Sequence, residues 1–256
     1  MLNPRITVGV SLKAYFRHHD AVSWLNSVAR IASETPSVRD GIVEVFIAPT
    51  YLQLHHALSA FAGTPVRVAA QDVSDHEPGA ATGEVTAAEL REIGVTLAEV
   101  GHAERRARHG ETDEIVAAKV AVALRHGITP IICLGESERS GPARAADTVC
   151  HQLAAALRDA PAGRVMVAYE PVWAIGARTP APHDHIRHVT GQLRDLLSEL
   201  PERDASSVLY GGSAGVGLLA ELGNDVDGIF LGRFAHDPAV LEQVLAEATE
   251  LSARLR

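Results

Sequence analysis

The sequence predicts an α/β fold of eight strand–helix units, and three observations predict it. Short apolar, β-branched runs recur at Ile6 to Ser11, Ile42 to Ala48, Val66 to Gln71, Val95 to Gly101, Ile128 to Leu134, Val165 to Tyr169, Val208 to Tyr210 and Ile229 to Leu231. Their apolar character is near-continuous, as in parallel strands covered on both faces. Longer segments of helical period fill the gaps between them. Finally, no Pro/Ser-rich linker or charge run divides the 256 residues, so residues 1–256 read as one domain of a size usual for such folds.

The helical segments justify themselves in turn. Asp20 is placed to cap a helix whose Val22, Leu25, Val28, Ala29 and Ala32 share one face. Glu114 to His126 carries Ile115, Ala118, Val122 and Leu124 and stops at Gly127, a helix C-terminal signal. His185 to Leu200 carries Ile186, Val189, Leu193, Leu196 and Leu197 and stops before Pro201. Alternating strands and helices build either a closed barrel or a doubly wound open sheet. Periodicity leaves both open. The lack of a Gly-rich dinucleotide fingerprint after the first strand weighs against the open sheet.

The formal net charge of −9 argues against nucleic acid as a partner, because phosphate backbones select basic faces. It leaves room for a small phosphorylated ligand, which needs only local positive potential and backbone N–H groups. Cys133 and Cys150 are too few for a disulfide framework and read as reduced, packed thiols. Met1 to Arg5 lead straight into the first strand without a signal-peptide pattern. No apolar run is long enough to span a bilayer. The expectation is a cytoplasmic protein without a membrane partner.

In an α/β barrel, chemistry sits in the loops after the strands. After the first strand come Ser11-Leu12-Lys13; after the fourth, Gly101-His102-Ala103-Glu104-Arg105-Arg106; after the sixth, Glu170-Pro171-Val172-Trp173-Ala174-Ile175-Gly176. Gly211-Gly212-Ser213 follows the seventh and Gly232-Arg233 the eighth. A lysine, a histidine and a carboxylate at strand ends form an acid–base set. The glycine-rich turns are candidate anion cradles.

These residues carry a resemblance. Ala168 to Gly176 is similar to the catalytic strand end and mobile loop of the triosephosphate isomerase family, and Gly101 to Arg106 resembles its histidine motif with one substitution. Tyr210-Gly211-Gly212-Ser213, Cys133-Leu134-Gly135-Glu136 and Ala81-Thr82-Gly83-Glu84 also fit, in family order, over nearly the whole chain. That family is itself the standard example of a glutamate base working with a neutral histidine under a closing loop. The resemblance implies a single (β/α)8 TIM barrel, a small phosphorylated sugar as substrate and no metal or organic cofactor. It implies Glu170 as the base, His102 as the neutral electrophile and Lys13 as the cation facing the developing enediolate. Ser11, Gly176, Gly211, Gly212, Ser213, Gly232 and Arg233 would hold the substrate and its phosphate. Glu104 would partner Lys13, and Thr82 would reach a neighbouring subunit's site, which implies a homodimer. His183, His185 and His188 lack a convincing fourth ligand and read as a solvated helix face. His18-His19 and His55-His56 read the same way.

The sequence departs from the family pattern in four places. Ser11 and Leu12 stand for an asparagine and a tryptophan, which makes the substrate end roomier. Ala103 stands for the serine that parks the glutamate in the empty site, so Glu170 should rest elsewhere. The mobile loop ends Ala177-Arg178-Thr179-Pro180 and is one residue shorter; depending on where the gap falls, Pro180 stands at the position of the N–H that latches the loop, and proline has no such donor. Arg233 replaces a glycine. Glu99, a carboxylate inside a barrel strand, is costly unless paired; it fits a structural salt bridge or a contact to an extra substrate hydroxyl. The expectation is an aldose–ketose isomerase, with the glycolytic triose phosphates first and an erythrulose phosphate as the alternative. A barrel that binds a sugar phosphate without turning it over is the rival of another class.

Overall fold

The computed structural model describes residues 6–255; the segment Met1 to Arg5, read above for targeting signals, lies outside them. Eight parallel strands close into a barrel: β1 (Ile6–Ser11), β2 (Val43–Ala48), β3 (Arg67–Ala70), β4 (Leu97–Val100), β5 (Thr129–Leu134), β6 (Met166–Tyr169), β7 (Ser207–Tyr210) and β8 (Gly228–Leu231). Of the two topologies that the periodicity allowed, the chain adopts the closed one, with β1 paired to both β2 and β8.

Each strand is buried on both faces, which explains its near-continuous apolar character. The inward residues Phe46, Ala69, Leu97, Ile131, Cys133, Met166, Ala168, Leu209 and Phe230 form the barrel's own core. The outward residues pack with the helices in a second, larger layer. Gly9 pairs in register with both Phe46 and Phe230, and its missing side chain lets the two rings meet at 5.4 Å across β1; a Cβ there would collide with Phe46. The N-terminal end of the barrel is sealed by charge. Buried Glu44 accepts from Arg67 at 2.8 Å and from Arg164 at 2.6 Å. Burial alone would raise its pKa; the two guanidiniums outweigh that and hold it below the usual carboxylate range.

The helices differ from expectation in detail. The first runs His18–Glu34, so Asp20 sits in its first turn, and its cap position is Arg17, without a side-chain cap bond. An acidic group there still favours the helix dipole. The helix Asp113–Arg125 buries Val116, Lys119, Val120, Val122 and Ala123, a face rotated from the one expected, which was centred on Ile115 and Ala118. Val116, Val120 and Ala123, spaced i, i+4 and i+7, form the fully buried stripe, and Lys119 on the same side has its Nζ 2.6 Å from both Asp72 and Glu111. Among the described residues, no helix is long and apolar enough to cross a membrane.

Candidate active site

The strand ends meet over the C-terminal mouth of the barrel. After β1 the chain turns at Lys13, whose φ of +46° is uncommon for a residue with a side chain. Gln71 holds that turn: its Nε2 donates to Lys13 O at 3.0 Å and to Ala48 O at 2.9 Å. Lys13 Nζ donates to Glu104 Oε1 at 2.8 Å. Burial opposes the ammonium, but the Glu104 bond and the charges of Glu170, Glu104 and Glu99 outweigh it and raise its pKa.

His102 caps the helix Ala103–His109, and its Nδ1 accepts the Glu104 N–H at 3.1 Å. An Nδ1 that accepts a hydrogen bond carries no proton, so in the neutral ring the proton is on Nε2. Nε2 lies 3.3 Å from Glu170 Oε2. Burial, the largest single influence, lowers the imidazole's pKa, and the Glu170 carboxylate beside it together with Glu99 outweighs burial and raises it. Protonating Nδ1 would break its bond to the Glu104 N–H, so the geometry favours the neutral ring while the charge of Glu170 favours the cation. A substrate between the two removes the second influence and leaves the first.

Glu170 is held through its backbone, whose N–H donates to Leu134 O at 2.7 Å. Its side chain is buried and faces His102, and Oε1 has no hydrogen-bond partner among the described residues. Two glycines make this placement possible. A side chain on Gly135 would run into the Glu170 carbonyl, and one on Gly211 would come within 2.5 Å of Glu170 Cγ. Gly211 therefore serves the carboxylate. Its own N–H donates to Tyr169 O at 2.9 Å and is not free for a phosphate.

A cavity of about 190 Å³ opens above these groups, lined by Lys13, His102, Glu170, Gly176, Ser213 and Gly232, among others. Arg233 lines its exposed rim, and Gly211 contributes to its wall. Gly212 does not line it; a Cβ there would come within 2.6 Å of the Tyr210 hydroxyl. Thr82 lies away from this mouth, exposed on the long loop after β3. A second cavity, of about 490 Å³, shares Ser11, Lys13, His102 and Glu104 with the first and reaches Glu99, Gln71 and Asp72.

The loop after β6 is anchored in a way that the Pro180 substitution hid. The Tyr210 hydroxyl accepts an N–H from Ala181 at 2.9 Å, so the donor sits one residue beyond the proline. Ser213 Oγ donates its one hydrogen to the Ala174 carbonyl at 2.7 Å, with the Ala177 carbonyl also within reach at 3.1 Å. Below the loop, buried Glu136 accepts from Trp173 Nε1 at 2.7 Å and from the Tyr169 hydroxyl at 3.2 Å. His185 joins this group, 3.0 Å from the Tyr169 hydroxyl and 3.3 Å from Glu136. His185 is therefore not on a solvated face, because the helix His183–Ser198 turns it inward beside Ile186 and Val189. His183 pairs with Asp225 at 2.7 Å, and His188 is exposed. Sequence reasoning missed Gln71, Tyr210 and the Glu136 group; the only signal for Glu136 was its place in the Cys133 to Glu136 motif.

What such an arrangement can do is move a proton between neighbouring carbons of a small carbonyl compound, with an imidazole N–H and an ammonium facing the oxygens: the work of an isomerase. The chain belongs to the triosephosphate isomerase family, whose model, described as triosephosphate isomerase, matches residues 6–248. It is 43% identical to the L-erythrulose-1-phosphate isomerase of Pectobacterium atrosepticum, over 99% of this chain and all of that one. It is 36% identical to the triosephosphate isomerase of Mycobacteroides abscessus, over 92% of this chain and 94% of that one. The crystal structure of triosephosphate isomerase from Bartonella henselae superposes with a TM-score of 0.81 at 26% identity, covering 96% of this chain and 99% of that one.

Tyr210→Phe removes the acceptor of the Ala181 N–H and leaves that donor buried and unpaired, at a cost of about 1–3 kcal/mol. Calorimetric titration with glycerol phosphate should show affinity weakened by roughly 5- to 150-fold. Affinity within twofold of wild type would mean that this bond does not latch the loop.

Proposed function

We propose that this isomerase acts on a phosphorylated four-carbon ketose through an enediolate, with Glu170 as the base. The observation that carries the mechanism is the Glu170 carboxylate facing the His102 Nε2 across a cavity whose third wall is the Lys13 ammonium. The observation that favours four carbons is the 43% identity, from end to end, to an L-erythrulose-1-phosphate isomerase. This reverses the order of substrates that the sequence suggested.

In an erythrulose 1-phosphate the carbonyl is at C2 and C1 carries the phosphate ester. The carbonyl must therefore move to C3. Glu170 takes the proton from C3, and the C2 oxygen gains charge facing Lys13 and the His102 N–H. His102 passes a proton between the two oxygens, and Glu170 returns its proton to C2. Gly176, Ser213, Gly232 and Arg233 are placed to meet the phosphate. Triose phosphate is the second reading, supported by the 36% identity to the mycobacterial triosephosphate isomerase. We also propose a cytoplasmic homodimer. Exposed Tyr15 and Tyr51 line the cavities at the mouth, Leu52 next to Tyr51 is exposed, and both cysteines are free thiols.

Coupled assays on erythrulose 1-phosphate and on glyceraldehyde 3-phosphate test the substrate. The four-carbon compound should be turned over with kcat/KM on the order of 10⁴ M⁻¹s⁻¹ or more, ahead of the triose; the reverse order would establish the second reading. Glu170→Asp withdraws the base by one methylene and should cut kcat by about 100-fold or more while ligand affinity stays close to wild type. A variant as active as wild type would remove Glu170 from the role of base, and activity on neither sugar would leave a binding barrel. Sedimentation equilibrium should give the mass of two copies of the 27.2 kDa chain; the mass of one copy would overturn the dimer.

A further inference from the structure

Glu99 is used by nothing described so far. It points into the barrel from β4, in line with Leu97 of the inner core, and lies at the floor below the mouth. It is only 3% exposed, and no salt-bridge partner meets it among the described residues. Its Oε1 has no hydrogen-bond partner, and neither has Ser11 Oγ, which is also buried. The structural salt bridge that the sequence allowed is therefore not formed. An unpaired buried carboxyl costs several kcal/mol of desolvation or else takes up a proton. Glu99 and Ser11 both line the 490 Å³ cavity that joins the first one at Lys13 and His102.

The chemistry of the substrate supplies the missing partner. A four-carbon 1-phosphate differs from dihydroxyacetone phosphate by one hydroxymethyl group on the carbon from which the proton is taken. With the phosphate at the Ser213–Gly232 side and that carbon at Glu170, the extra group lies beyond the reacting carbons, on the side away from the phosphate. That is the side on which Ser11 and Glu99 line the adjoining cavity. We infer that Glu99, with Ser11 beside it, receives the terminal hydroxyl of the four-carbon substrate and so determines specificity for it. The inference rests on the four-carbon reading of the same site.

The titration of Glu99 suits this role. Burial pushes its carboxyl up to about 7, against the pull of His102, the neighbouring Ser11 hydroxyl and Lys13. Near neutral pH it can both accept from a hydroxyl and donate to one. A pocket built to hydrogen-bond a hydroxyl discriminates strongly against the analogue that lacks it, because its polar groups are then left unpaired.

The test compares wild type with Glu99→Leu and Glu99→Gln on erythrulose 1-phosphate and glyceraldehyde 3-phosphate, with melting temperatures measured alongside. In Glu99→Leu, the four-carbon to three-carbon ratio of kcat/KM should fall about tenfold or more, and Glu99→Gln, which keeps a donor and an acceptor, should lose less. The melting temperature should hold or rise, because a costly buried carboxyl is gone; a carboxyl that supported the fold would lower it. If Glu99→Leu does not fold, the same ratio in Glu99→Gln decides, with any loss in favour and none against. A wild type that turns over erythrulose 1-phosphate and variants with an unchanged ratio would overturn the role of Glu99 and leave the substrate reading standing. A wild type inactive on erythrulose 1-phosphate would overturn both.

Discussion

The site depends on one residue that holds two others. The backbone N–H of Glu104 fills Nδ1 of His102, which puts the imidazole proton on Nε2, and the Glu104 carboxylate holds the Lys13 ammonium. An imidazole facing a carboxylate at 3.3 Å tends to become a cation. A cation there would neutralise the base it faces. The Glu104 N–H works against this by occupying the only other nitrogen. On the proposed mechanism, that hydrogen bond at the start of a short helix matters as much as the side chains that would touch substrate.

The barrel supplies the rest by bringing distant strand ends together. Its inner core is apolar through the middle, where Phe46 and Phe230 close over Gly9. It is charged at the N-terminal seal around Glu44 and polar again at the floor of the mouth, where Glu99 and Ser11 lie. The carboxylate of the seal is paired with two guanidiniums and reads as stability. The floor is not paired, and unpaired polar atoms beside a catalytic cavity are where a ligand contributes the missing bonds.

The strands were legible because parallel strands buried on both faces need continuous apolar runs, and those runs end where β1 to β8 end, within about two residues. The glutamate, histidine and lysine were legible because motif residues follow strand ends in order. What was not legible depends on contacts between distant segments. Lys119 is buried by its pairing with Asp72, 47 positions away. His185 was drawn inward by Glu136 and Tyr169, 49 and 16 positions away. Local sequence counted Gly211 among the phosphate donors, yet its neighbour in space, Glu170, requires the missing side chain. Pro180 signalled a lost donor, and only the folded loop shows the Ala181 N–H on the Tyr210 hydroxyl.

The most direct measurement of the central claim is the fate of the migrating hydrogen. Erythrulose 1-phosphate is isomerised by the wild-type protein in D₂O, and product and recovered substrate are read by NMR. Proton transfer by Glu170 through an enediolate predicts deuterium at C2 of the product, because a carboxylic acid exchanges with solvent during some turnovers. Deuterium at C2 formed at the wild-type rate by a Glu170→Ala variant would contradict the role assigned to Glu170.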